Sequence, residues 1–134
     1  MASTRPHGSV TRPRPKFLNF ARISFPVGAV ASIGHRISGI VLACALPVAV
    51  LALQRSLRSE AEFDSLTDAL RSPAGRAALV LIAWASAHHV FAGIRHLLMD
   101  VGVGASLAAG RASAYAALLA AIAIAGAAVL VALA

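Results

Sequence analysis

Three stretches of the chain, at about 28–53, 74–99 and 112–134, are apolar almost throughout, and polar residues fall between them or near their ends. At about 1.5 Å of rise per residue, a helix over any of them is long enough to cross the roughly 30 Å hydrocarbon core of a bilayer. The pattern predicts an all-α membrane protein with three transmembrane helices over residues 28–134. Pro47 is expected to kink the first helix and release the carbonyl of Ala43. Ser72-Pro73 reads as the start of the second, with Ser72 capping and Pro73 in the first turn. Asp100, Gly102 and Gly104 close that helix, and a short turn holding Gly110 and Arg111 leads into the third. Residues 54–73 read as a loop, in which Arg55, Arg58 and Arg71 balance Glu60, Glu62, Asp64 and Asp68 to a net charge of about −1.

Composition agrees with this reading. The 134 residues allow one domain, and 59% hydrophobic against 13% charged residues departs from the roughly 25% charge of soluble proteins. Thirty-two alanines, 10 glycines and a mean hydropathy of +0.80 describe helices that pack closely in lipid, where small residues let backbones approach. The single cysteine, Cys44, excludes an internal disulfide framework and is expected to be a small buried apolar residue. A net charge of +7 invites a nucleic-acid reading. That reading fails, because there is no solvated basic face interleaved with aromatics, and the charges lie outside or at the ends of apolar runs.

Residues 1–27 carry Arg5, Arg12, Arg14, Lys16 and Arg22 with no acid, and Pro6, Pro13 and Pro15 prevent a helix through most of the stretch. It reads as a basic, proline-rich surface arm rather than a signal peptide, since no short apolar core with a cleavage site follows its start. Five basic residues before the first span, against a balanced first loop, place the amino terminus on the cytoplasmic side. An arm of this composition resembles a transit peptide, yet it is expected to stay on the chain, an expectation that favours a bacterial inner membrane over a mitochondrial one. The start of the first helix and the end of the second then meet at one membrane face.

The unusual residues gather at that face. The first helix opens with Ser32-Ile33-Gly34-His35-Arg36-Ile37-Ser38-Gly39, and the second carries His88-His89-Val90-Phe91-Ala92-Gly93-Ile94-Arg95-His96. Ionisable groups at membrane depth cost a few kcal/mol each, by order of magnitude, and are functional-site candidates by default. At 100° per residue, His89, Gly93 and His96 share one stripe, while His88 and Arg95 share another. On the first helix, Ser32, Arg36 and Gly39 align, with His35 beside them. A porphyrin iron takes a neutral imidazole, its carboxylates take cationic donors, and its flat face needs small residues beneath it. His89, with Gly93 one turn later, supplies ligand and space. His35 lies roughly 6 Å shallower by residue count from the helix ends, a poor opposite ligand, so a second axial histidine must come from a partner subunit. The bland readings stand beside these: Arg36, Arg95 and His96 near helix ends also snorkel to the interface, and His88 reads as a polar residue packed between helices. Trp84 and Tyr115 read as packing or interfacial residues.

At these residues the sequence resembles the cytochrome b556 membrane-anchor subunits of succinate dehydrogenase, the larger anchors of respiratory complex II. The match rests on Arg12-Pro13, Phe25-Pro26, the run Ser32 to Gly39 (pattern S-I-x-H-R-x-[ST]-G) and the run His89 to Asp100 (pattern H-x-x-x-G-I-R-H-x-x-x-D). It covers most of the chain from about residue 12. His88 stands where the family usually has another residue, and the Gly93 spacing puts the match on His89.

The resemblance implies that His89 is an axial ligand of haem b, the other ligand coming from the smaller anchor subunit. Ser32 and Arg36 match residues lining a ubiquinone site, and His35 matches a residue near the haem propionates. Arg95 and His96 share that motif and are assigned to the propionate side. FAD and iron–sulfur clusters would belong to flavoprotein and iron–sulfur partner subunits, since one cysteine and no dinucleotide fingerprint leave no place for them here. The chain would anchor and complete the enzyme, with no catalytic residue of its own for succinate oxidation. A fumarate reductase-type anchor is the nearest alternative. A small transporter or proton-relay subunit is another, but it would need polar residues continuing past Ile40, and the stretch to Leu53 offers only the thiol of Cys44. A purely structural anchor is the third.

Overall fold

The computed structural model describes residues 24–134. Most of the basic arm assigned to 1–27 lies outside the described residues, and with it the five cations on which the cytoplasmic placement of the amino terminus rests. Within 24–134 the chain is all-helical: α1 (Val27–Ser56), α2 (Glu60–Arg71), α3 (Pro73–Asp100) and α4 (Leu107–Leu133). Of these, α1, α3 and α4 are long and apolar enough to cross a membrane, which bears out the three expected spans.

Each boundary has a local cause. Pro26, extended at φ −63° and ψ 149°, precedes α1, and its carbonyl accepts from the amides of Ala29 and Val30. Pro47 lies inside α1 without ending it. The expected loop at 54–73 is instead the tail of α1 followed by α2. Ser59 caps α2 by accepting from the Glu62 amide at 3.2 Å, with Glu60 and Glu62 in the first turn and Arg71 in the last, as the helix dipole favours. Phe63, Leu66 and Leu70 recur at helical spacing and give α2 one apolar side. Arg55 at the end of α1 pairs with Glu62 at 2.8 Å, an exposed contact worth under about 1 kcal/mol.

Ser72 does two jobs, of which the capping of α3 is the one its sequence context suggests. Its hydroxyl donates to the Ala69 carbonyl at 2.6 Å and accepts from the Gly75 amide at 3.1 Å, so one side chain ends α2 and caps α3. The corner is tight enough that a Cβ on Gly75 would collide with the Ala69 carbonyl and the Leu70 backbone. After α3, Gly102 (φ 84°) and Gly104 (φ 72°) take left-handed conformations that turn the chain back. Ser106 then caps α4 by accepting from Ala109, so α4 begins earlier than expected, and Gly110 and Arg111 belong to its first turns rather than to the preceding turn.

α3 packs most extensively against α4 and next against α1. The core is made of small residues: Ala31, Ala85, Ala92, Ala114 and Ala121 are fully buried, and Ser38 joins them. Large apolar side chains such as Ile40, Leu46, Leu119 and Leu130 point outward, as in a helical unit whose solvent is lipid. Cys44 is exposed rather than buried, because it lies on this outward side of α1. At the far end, the Arg76 guanidinium donates to the Ala132 carbonyl, covering the carboxyl end of α4. The Gly75→Ala change is expected to destabilise the α2–α3 corner by about 1–3 kcal/mol, whereas Gly126→Ala, with open space around its Cα, should be neutral. Apparent thermal midpoints of the solubilised protein, followed by circular dichroism, check both.

Candidate functional site

Antiparallel packing of α1 and α3 brings the two polar motifs together. The imidazoles of His35 and His89 stack with centroids 4.3 Å apart and planes 15° from parallel, and His96 lies 5.3 Å from His35 at a tilt of 55°. The stripe of His89, Gly93 and His96 therefore faces His35, as helical spacing implies. Small residues make the approach possible: a Cβ on Gly39 would sit 3.1 Å from the His89 ring, and one on Gly93 would sit 3.4 Å from His35 Nε2.

His89 is held through one nitrogen. Its Nδ1 lies 3.3 Å from the His35 carbonyl and 3.4 Å from Ser38 Oγ, while Ser38 Oγ donates its own hydrogen to the His35 carbonyl at 2.9 Å. Both neighbours of Nδ1 are thus acceptors. The arrangement makes Nδ1 the protonated nitrogen and leaves the lone pair on Nε2. Ser38, fully buried, was not singled out from the sequence. Its position three residues after His35, on the same helical face, was the available signal.

The roughly 6 Å depth offset expected between His35 and His89 is not found, since 4.3 Å between centroids is an upper bound on it. Counting from the two helix ends used unequal baselines, because α3 runs on beyond the level at which α1 begins. A shared metal is disfavoured for a different reason. Nitrogen lone pairs lie in the ring planes, and two nearly parallel stacked rings cannot aim them at one atom from opposite sides.

His88 occupies separate ground. It is 1% exposed, stacks on Trp84 at 5.7 Å, and directs Nε2 to the Ala31 carbonyl at 3.2 Å. Its Nδ1 is buried with no partner among the described residues, a cost of about 1–3 kcal/mol. This is a residue packed between helices. Arg95 is similarly enclosed at 9% exposure, donating from Nε to Ser113 Oγ at 3.1 Å and from Nη2 to the Gly110 carbonyl at 3.3 Å, so its guanidinium ties α3 to α4. Ser113 is a second residue the sequence reading passed over. Ser32 is half-buried and Arg36 exposed on α1, and neither is joined by a hydrogen bond to the three clustered rings among the described residues. Tyr115 is exposed on α4.

Among the described residues, no group of three or more His, Cys, Asp or Glu side chains converges as a metal-ligand set. A macrocycle brings its own equatorial donors, so one available imidazole is all that such a group asks of a chain. The His89 arrangement meets that requirement, while Gly39 and Gly93 admit the close approach of the His89 and His35 rings.

Residues 10–129 match the family described as succinate dehydrogenase/fumarate reductase transmembrane subunit. The chain is also 41% identical, over 103 residues, to the succinate dehydrogenase cytochrome b556 subunit of Coxiella burnetii (strain RSA 493 / Nine Mile phase I), covering 76% of this chain and 82% of that protein.

The Arg95 tie yields a stability prediction. Ser113→Ala leaves a buried guanidinium N–H without its acceptor and is expected to cost about 1–3 kcal/mol. Tyr115→Phe, on the exposed side of the same helix, should stay within about 0.5 kcal/mol of the parent. Apparent melting midpoints of the two variants decide it.

Proposed function

This chain belongs to the succinate dehydrogenase/fumarate reductase transmembrane subunit family, and we propose that it anchors a succinate:quinone oxidoreductase, holds haem b with a second anchor subunit and forms part of a ubiquinone-reduction site. It is a multi-pass membrane subunit of an oxidoreductase complex and not its catalytic subunit. Flavoprotein and iron–sulfur subunits would complete the enzyme, in a bacterial inner membrane, as the Coxiella relative suggests.

The observation that carries the proposal is the state of His89. With Nδ1 surrounded by the His35 carbonyl and Ser38 Oγ, the ring is fixed in the tautomer that offers Nε2 to a metal. A backbone carbonyl behind a ligating imidazole also raises its basicity. When bound, haem would supply a one-electron redox centre. His35 and His96 are the near candidates for its propionates. Arg95, by contrast, has two of its donor positions committed to α4, which leaves less of it for a propionate.

Quinone reduction consumes two electrons and two protons, so the carbonyl oxygens need donors close to water. The Ser32 hydroxyl can donate a hydrogen bond, and Arg36 offers permanent positive charge against the charge that develops on oxygen without giving up a proton. They lie one turn apart on α1, half-buried and exposed respectively. Neither is consumed in holding the helices together, which supports a role toward a ligand.

In the assembled complex, His89→Ala is expected to abolish the haem absorption. Ser32→Ala and Arg36→Leu should retain it while lowering quinone reductase activity roughly 10–100-fold, the equivalent of one charge-assisted hydrogen bond at about 1.5–3 kcal/mol. Visible spectra and quinone-dependent turnover on the same preparations check this. Unchanged absorption in His89→Ala would remove the ligand assignment, and equal loss of haem and activity in the α1 variants would mean the two sites are not separable.

A further inference from the structure

His88 is the one fully buried imidazole in the described chain, and neither the proposed haem site nor the quinone site uses it. Its surroundings are specific. Nε2 lies 3.2 Å from the Ala31 carbonyl, one α1 turn before the His35 carbonyl that Nδ1 of His89 approaches at 3.3 Å. Two successive residues of α3 therefore reach two main-chain carbonyls of α1 that are one turn apart. A single such bond leaves a helix free to pivot about it, whereas two fix both its rotation about its own axis and its slide along the neighbour.

The fit tolerates nothing larger at the point of contact. A Cβ on Gly34, between the two carbonyls in sequence, would stand 2.5 Å from His88 Nε2 and 3.2 Å from two of its ring carbons. Trp84, one turn earlier on α3, stacks on the ring within 14° of parallel. Nδ1, meanwhile, has no hydrogen-bond partner among the described residues. A buried polar atom left unsatisfied calls for a compensating reason to keep that residue.

We infer that His88, keyed into the bare backbone at Gly34, is a positioning residue that fixes the rotation of α3 so that the neighbouring His89 keeps Nδ1 on the α1 carbonyl and Nε2 turned outward. The inference rests on the reading of His89 as the haem ligand. His88 acts through the hydrogen bond it donates and not through its charge or any metal of its own. Loosening that bond weakens the carbonyl contact behind His89, makes the ligating imidazole less electron-donating and raises the haem potential.

The test uses the complete complex with its partner subunits and reads three quantities: haem per complex, haem midpoint potential and the low-spin ferric EPR signature. His88→Leu is expected to keep haem while shifting the potential upward and altering the EPR g-values. His88→Gln, whose amide can still donate to Ala31, should restore the parent values. Gly34→Ala should reproduce the His88→Leu shift on its own and add nothing in a His88→Ala background, since the clash it creates is with the missing ring. A parent-like potential and spectrum in His88→Leu overturns the inference, as does a His88→Gln variant that behaves like leucine or fails to assemble, or a silent Gly34→Ala. The ligand reading fails separately: if His89→Ala retains haem and His88→Gln loses it, the ligand is His88 and both statements fall.

Discussion

The close approach of α1 to α3 is the constraint from which the rest of the structure follows. In lipid, apolar side chains gain little by burying against each other instead of against acyl chains, so helices associate through tight packing and interhelical hydrogen bonds. Ala31, Gly34, Ser38 and Gly39 leave α1 nearly bare along the line that meets α3. On α3, Ala85, His88, Ala92 and Arg95 recur at helical spacing as the buried line. Only across such a bare surface can an imidazole on one helix reach a main-chain carbonyl of another, since those carbonyls otherwise sit beneath their own side chains. α4 repeats the device with Ala114, Ala117 and Ala121.

Polar groups at this end of the bundle divide by what they touch. Ser38, His88 and Arg95 are buried, and their hydrogen bonds run to neighbouring helices or to their own backbone. His35, His89, His96 and Ser32 are only partly covered, and Arg36 is exposed. The first set orders the helices, and the second is available to something outside the chain. Adjacent residues fall on opposite sides of this division, His88 against His89 and Arg95 against His96, because neighbours on a helix point about 100° apart. A motif written as a linear string merges two jobs that the helix separates.

That geometry explains what was legible in the sequence. Three apolar runs of bilayer length give the spans, and the 100° arithmetic groups His89, Gly93 and His96 on one stripe, while their stacking on His35 is known only from how α1 and α3 pack. α2 was hidden by its charges, although Ser59 followed three residues later by Glu62, with Phe63, Leu66 and Leu70 behind it, is a helix-start signature. The start of α4 was obscured by Gly110 and Arg111, which read as turn residues until Ser106 is seen capping ahead of them and the Gly110 carbonyl is seen receiving Arg95. Ser38, Ser113 and the pairing of His88 with Gly34 depend on which helix faces which, and one chain's periodicity does not carry that information.

The outward surface is not uniform, and its two halves ask for different neighbours. From Ile40 to Leu53, α1 presents Leu46, Val48, Val50 and Leu51 with no polar atom beyond the Cys44 thiol, a surface that acyl chains satisfy completely. Toward Val27 the same helix offers Ser32, His35 and Arg36 beside the imidazoles of α3, and hydrocarbon cannot satisfy donors of this kind. Lipid therefore suffices for the first half and not for the second. A chain built this way buries its own helix contacts but leaves a polar edge that lipid does not satisfy, and that edge is the part of its surface that asks for a further ligand or partner.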